Sequence, residues 1–148
     1  MDNLIENLFE LEFGLKQEMQ NKKILLRQFN IGKLNGINSG LTIFEDGNMY
    51  FLKSNTKDGT LAWNYFTRLK PEGLKKLKAL ISTEFFQIKN EDHERGNSDN
   101  ILIWQCELSG QEKRVIVDSG SYTNLPPVFK RIDDIINRYM YKLNEVIE

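Results

Sequence analysis

A chain of 148 residues is long enough for one domain with one buried core, and 40% hydrophobic with 28% charged residues excludes a fibre or a wholly disordered chain. With 20 basic against 21 acidic side chains and a formal net charge of −1, the usual electrostatic warrant for non-specific nucleic-acid binding is missing. One cysteine, Cys106, excludes an intrachain disulfide and suits a reducing compartment.

The N-terminus, MDNLIENLFELEF, carries acids where a signal peptide would be positive, and no apolar run approaches the ~20 residues of a membrane span. A cytoplasmic protein is the expectation. Asp2 or Asn3 caps a first helix, with Glu6 placed as in a capping box. Leu4, Leu8, Leu11, Leu15 and Met19 recur at helical spacing, with Ile5 beside them. Phe9 and Phe13 fall outside that stripe. Either the rest of the chain covers them or they mark a contact with a second copy or another protein.

Residues 23–31, KILLRQFNI, read as a first strand, followed by a turn-rich connection through Gly32, Gly36 and Gly40. The strongest local signal comes next. In LTIFEDGNMYFLK, from Leu41 to Lys53, two runs rich in β-branched and aromatic residues flank Asp46-Gly47, which accepts the positive φ of a tight hairpin. A second Asp-Gly, Asp58-Gly59, leads into a strand in which Leu61, Trp63, Tyr65 and Leu69 alternate with polar or small residues, an alternation that Phe66 breaks. Strands joined by short turns pair antiparallel, so this section is expected to be a meander.

Pro71 and the pair Pro126-Pro127 stand where a helix starts, since the missing N–H costs nothing in a first turn. Leu74, Leu77, Leu80 and Ile81 give the first of these helices a dry side, with Lys75, Lys76 and Lys78 on its wet arc. Phe85 and Phe86 plug the core behind it. Residues 90–100 contain no apolar side chain and crowd acids around the only histidine, in Glu91-Asp92-His93-Glu94. Residues 101–108 and 114–118 form a second hairpin around a turn at 109–112. The last helix is expected from about Pro126 to Val146, with Val128, Ile132, Ile135, Tyr139, Leu143 and Val146 on one stripe.

The chain carries no recognisable chemistry-bearing motif. His93 and Cys106 have no partners at zinc-like spacing, and the acids of the 90–100 loop lack the EF-hand order. Asp118-Ser119-Gly120 is not the G-x-S-x-G elbow, and no phosphate-cradling glycine motif is present. Phe44, Tyr50, Trp63, Tyr65 and Trp104 offer stacking faces but have no basic groove beside them. No catalytic, cofactor-binding or metal-ligating residue is therefore expected.

The succession of an Asp-Gly hairpin (Phe44 to Tyr50), a helix with a Phe-Phe plug (Leu74 to Phe86), a strand hairpin (Ile101 to Val117) and a Pro-led helix (Pro126 to Ile136) resembles small bacterial α+β domains of unknown function. The resemblance covers about the last two thirds of the chain. It implies a fold, no activity and no catalytic residue.

The expectation is an α+β fold in one domain over residues 1–148. An N-terminal helix occupies 1–21, and the core of 22–148 holds an antiparallel, meander-like sheet of about six strands with the middle and C-terminal helices on one face. The leading functional reading is a non-catalytic binding or protein-interaction domain, an immunity- or inhibitor-like protein included. Its partner is a second copy or another protein, met through Phe9 and Phe13 or through Glu91, Asp92, His93 and Glu94. The alternative is an enzyme or small-ligand carrier whose pocket lies between the sheet and the last helix, lined by Trp63, Tyr65 and Trp104.

Overall fold

The computed structural model describes residues 22–32, 36–54, 61–88, 100–118 and 127–142. Six strands form one antiparallel sheet: β1 (Ile24–Gly32), β2 (Gly36–Phe44), β3 (Asn48–Ser54), β4 (Leu61–Arg68), β5 (Asn100–Leu108) and β6 (Gln111–Asp118). Their spatial order is β4-β3-β2-β1-β5-β6. The first four strands are the expected meander. The last hairpin then joins β1 on its free side, so β1 lies inside the sheet, paired with both β2 and β5. Two helices, α1 (Pro71–Thr83) and α2 (Pro127–Tyr139), contribute to the core on one face, with a single 3-10 turn at Phe85–Gln87 after α1. The α+β architecture is as expected. The N-terminal helix expected over 1–21 lies outside the described residues.

Three boundaries differ from the sequence reading, each for a local reason. The glycine-rich run after β1 is strand from Gly36 onward, because Phe29 of β1 lies across Gly40 of β2. A Cβ on Gly40 would stand 3.0 Å from Phe29 Cδ1 and 3.1 Å from Leu52 Cβ. Glycine here makes room for an aromatic neighbour. The second hairpin turns on two residues, Ser109 and Gly110, both at positive φ (53° and 81°), so Gln111 and Glu112 belong to β6. Finally, α2 stops at Tyr139. The Tyr139 carbonyl accepts from the Lys70 N–H at 2.7 Å, Met140 bridges Leu69, and the Tyr141 N–H donates to the Arg68 carbonyl at 2.9 Å. The end of β4 thus offers the chain a competing ladder, and described residues 140–142 follow it.

Register shifts place side chains that simple alternation misassigns. Between Ile24 and Leu26 the pairing with β2 slips, and both Leu25 and Leu26 reach the helix-side core. In β4, Tyr65 opposes Tyr50 and Thr67 opposes Met49, which leaves Phe66 as the extra residue; its ring lies 4.7 Å from that of Phe51. The helix-side core is closely filled: Leu77 and Ile81 of α1, Phe85, and Val128, Phe129 and Ile132 of α2 pack on Leu25, Leu26, Ile43, Met49, Trp104, Cys106, Val115 and Val117. Each such aliphatic or aromatic side chain contributes ~1.5–3 kcal/mol by leaving water. The opposite face carries a second cluster of Ile24, Phe29, Ile31, Phe44, Tyr50, Leu52, Trp63 and Ile103.

Candidate functional site

The antiparallel order brings six strand ends to one edge of the sheet: the starts of β1, β3 and β6 and the ends of β2, β4 and β5. Here the β2–β3 turn at Glu45–Gly47 and the β5–β6 turn at Ser109-Gly110 stand beside the segment that enters β1. Between them is a cleft of about 410 Å³ lined by Lys22, Lys23, Ile24, Glu45, residues 107–110 of the β5–β6 turn, Gln111 and Glu112.

One wall of this cleft is fixed by cross-strand polar pairing. Gln105 is 2% exposed, and its amide donates to Glu107 Oε1 at 3.2 Å and to Glu112 Oε1 at 2.7 Å. Its carbonyl oxygen accepts from Arg114 Nε at 3.4 Å. Arg27, 4% exposed on the neighbouring strand, reaches Glu107 at 3.4 Å. The alternation of β5 puts Gln105 and Glu107 on the side away from the helices, and burying Gln105 is tolerable only because its amide is paired.

The other wall continues toward the outer strands. Lys22 Nζ stands 3.6 Å from Asp46 and 5.6 Å from the Phe44 ring centroid. Asp46 accepts from the backbone and side-chain nitrogens of Asn48 at 2.9 and 3.0 Å, and Asn48 Oδ1 accepts from the Tyr65 hydroxyl at 3.1 Å. Tyr65, with its ring edge-on to Tyr50 at 5.3 Å, is 48% exposed, the single large exposed hydrophobic among the described residues. Partial burial raises the Tyr65 phenol above its ordinary pKa, against the lowering effect of the Arg68 charge. The result is a strip that runs from the Ser109-Gly110 turn through the lysines and the Asp-Gly turn to an exposed tyrosine. Cations and anions alternate along it, and most are held by neighbours.

The aromatic residues that the sequence groups in one pocket stand apart. Trp104 is in the helix-side core, 5.0 Å from Phe129, whereas Trp63 belongs to the cluster on the other face, and Tyr65 lies at the rim of the sheet. Phe9, Phe13, Glu91, Asp92, His93 and Glu94 lie outside the described residues. Cys106 is fully buried, and burial alone pushes its thiol far above the ordinary range. Among the described residues no group of three or more His, Cys, Asp or Glu side chains is gathered as a metal would require, and no helix is long and apolar enough to cross a membrane. The sequence reading missed Gln105 and Glu112. The signal available was Gln105 itself, an amide in the otherwise apolar run ILIWQC.

Comparison with protein-family models and with curated proteins finds no match.

Proposed function

We propose that this protein is a non-catalytic binding domain whose partner is another protein, of the inhibitor or immunity kind, and that the strip from the β5–β6 turn to Tyr65 is its contact surface. The observation that carries the reading is the exposed Tyr65, held by Asn48 and Asp46 at the end of a strip of fixed charges. Tyrosine gives large contact area at small entropic cost and is enriched where alanine substitution hurts binding most. A rim of ordered charges of both signs selects a partner by complementarity more than by bulk hydrophobicity. The reading includes an N-terminal helix over 1–21 whose Phe9 and Phe13 extend the contact surface.

The test is photo-crosslinking from position 109, with position 82 on α1 as control, followed by binding measurements on the purified captured protein. Tyr65→Ala should weaken that binding at least ~10-fold, the ~1.4 kcal/mol or more expected of a central tyrosine. Unchanged affinity in Tyr65→Ala, or equal capture from position 82, would sink the assignment.

A further inference from the structure

The second face of the sheet is dry. Phe29, Ile31, Leu52, Trp63 and Ile103 are each at most 2% exposed, and Arg27, Thr42 and Gln105 on the same side are nearly as well hidden. Side chains that stand off a sheet cannot hide their outer ends behind their own strands; a second layer, packed about 10 Å away, has to shield them. Both described helices contribute their buried residues to the opposite cluster, and the described members of this one are all strand residues. Among the described residues no element covers this face, and the candidates are the remaining segments of the chain.

Those segments differ sharply in chemistry. Residues 55–60 and 89–99 hold no apolar side chain, and 33–35, 119–126 and 143–148 hold only a few. Residues 1–21 carry Leu4, Ile5, Leu8, Leu11, Leu15 and Met19 in a helical stripe. As a helix they would measure ~30 Å, against ~24 Å across six strands, so one helix spans the sheet. They also lead into β1, an inner strand, from which a helix can fold back over the middle of the face. An apolar stripe further accounts for the Trp63 indole Nε1, which is buried in this cluster with no hydrogen-bond partner among the described residues: leucine side chains offer no acceptor.

We propose that residues 1–21 are the third layer of the fold, with the stripe of Leu4, Leu8, Leu11 and Leu15 seated on Phe29, Leu52, Trp63 and Ile103. This placement stands or falls independently of the binding role given to Tyr65.

Trp63 reports on the cover directly, because Trp104→Phe leaves it as the only indole in the chain. In that full-length background, Leu8→Asp with Leu11→Asp should move Trp63 emission to the red and raise its quenching by acrylamide several-fold. Quenching as low as in the parent, in a folded chain, would overturn the placement. So would protection of Trp63 that appears only as a monomer associates on concentration, since the cover would then be a second copy. Should the double variant fail to fold, hydrogen exchange on the unmodified chain decides: amides of residues 4–15 should exchange far more slowly than an open chain, and open-chain rates there would overturn the proposal.

Discussion

Gly73 of α1 lies so close beneath Tyr139 of α2 that a Cβ built on the glycine would stand 2.1 Å from the tyrosine Cβ. The two helices cross with backbone nearly against side chain, and the close approach delivers the Tyr139 carbonyl to the Lys70 N–H at 2.7 Å. Glycine costs a helix interior ~1 kcal/mol relative to alanine and less in the first turn, where Gly73 stands, so on propensity alone Gly73→Ala would modestly stabilise the protein. Packing reverses the sign. The inserted methyl must push α2 away, and overpacking of this kind costs ~1–3 kcal/mol. Gly73→Ala should therefore lower the urea midpoint, and a raised midpoint would show that the helices separate freely.

Gln105 offers a second test. Replacement by leucine keeps the volume but leaves Arg114 without this acceptor, and Glu107 and Glu112 without the amide that separates them. A cost of ~0.5–1.5 kcal/mol is expected, the net worth of a lost hydrogen bond, because Glu107 is half-exposed, Glu112 is exposed and both can turn to water. Equilibrium unfolding measures it. A neutral result would mean that the strands position Glu107 and Glu112 without Gln105.

Cys106 should be inert in the folded protein. Its thiol is fully buried and its ionisation is disfavoured, and the thiolate is the species that reacts. Titration with a thiol-specific disulfide reagent should show no reaction under native conditions and one equivalent in denaturant. Rapid native labelling would indicate frequent opening between β5 and the helices.

Alkaline stability should report on Tyr65. Its phenol ionises above 10.0 in the folded chain and near that value when unfolded. The folded state therefore holds its proton to higher pH, and stability falls as pH rises from about 10 toward the folded value. Tyr65→Phe should remove that part of the loss. The absorbance of tyrosinate near ~295 nm should correspondingly lose its late-ionising component, on the same linkage argument. Identical alkaline profiles for the two proteins would count against the burial-driven shift.

The sheet was legible wherever local chemistry and alternation agree. Asp46-Gly47 marks its hairpin, with Gly47 at φ 94°, and Pro71 opens α1. The buried side of α1, through Leu77, Leu80 and Ile81, follows from 3.6-residue spacing. What escaped depends on partners distant in sequence. Gly40 is a strand residue because Phe29 needs its space, and α2 ends early because Arg68 and Lys70 compete for its last backbone groups. The pairing of β1 with β5 carries no local signal either, since nothing in ILLRQF specifies which later strand takes its free side. The candidate site was least legible of all. Its charged residues sit on four separate strand ends and turns, and only the sheet order gathers them.

That sheet order has a temporal side. Arg27 and Glu107 face each other across 80 positions of sequence. On a ribosome adding ~5–20 residues per second, β1 emerges ~4–16 s before its second neighbour exists. During that interval the nascent four-stranded half presents the edge of β1, with Leu26, Phe29 and Ile31, as an open template for any other extended chain. Crowded polysomes translating this message should thus be where the protein is most prone to aggregate, and chaperone demand should fall as β5 is released.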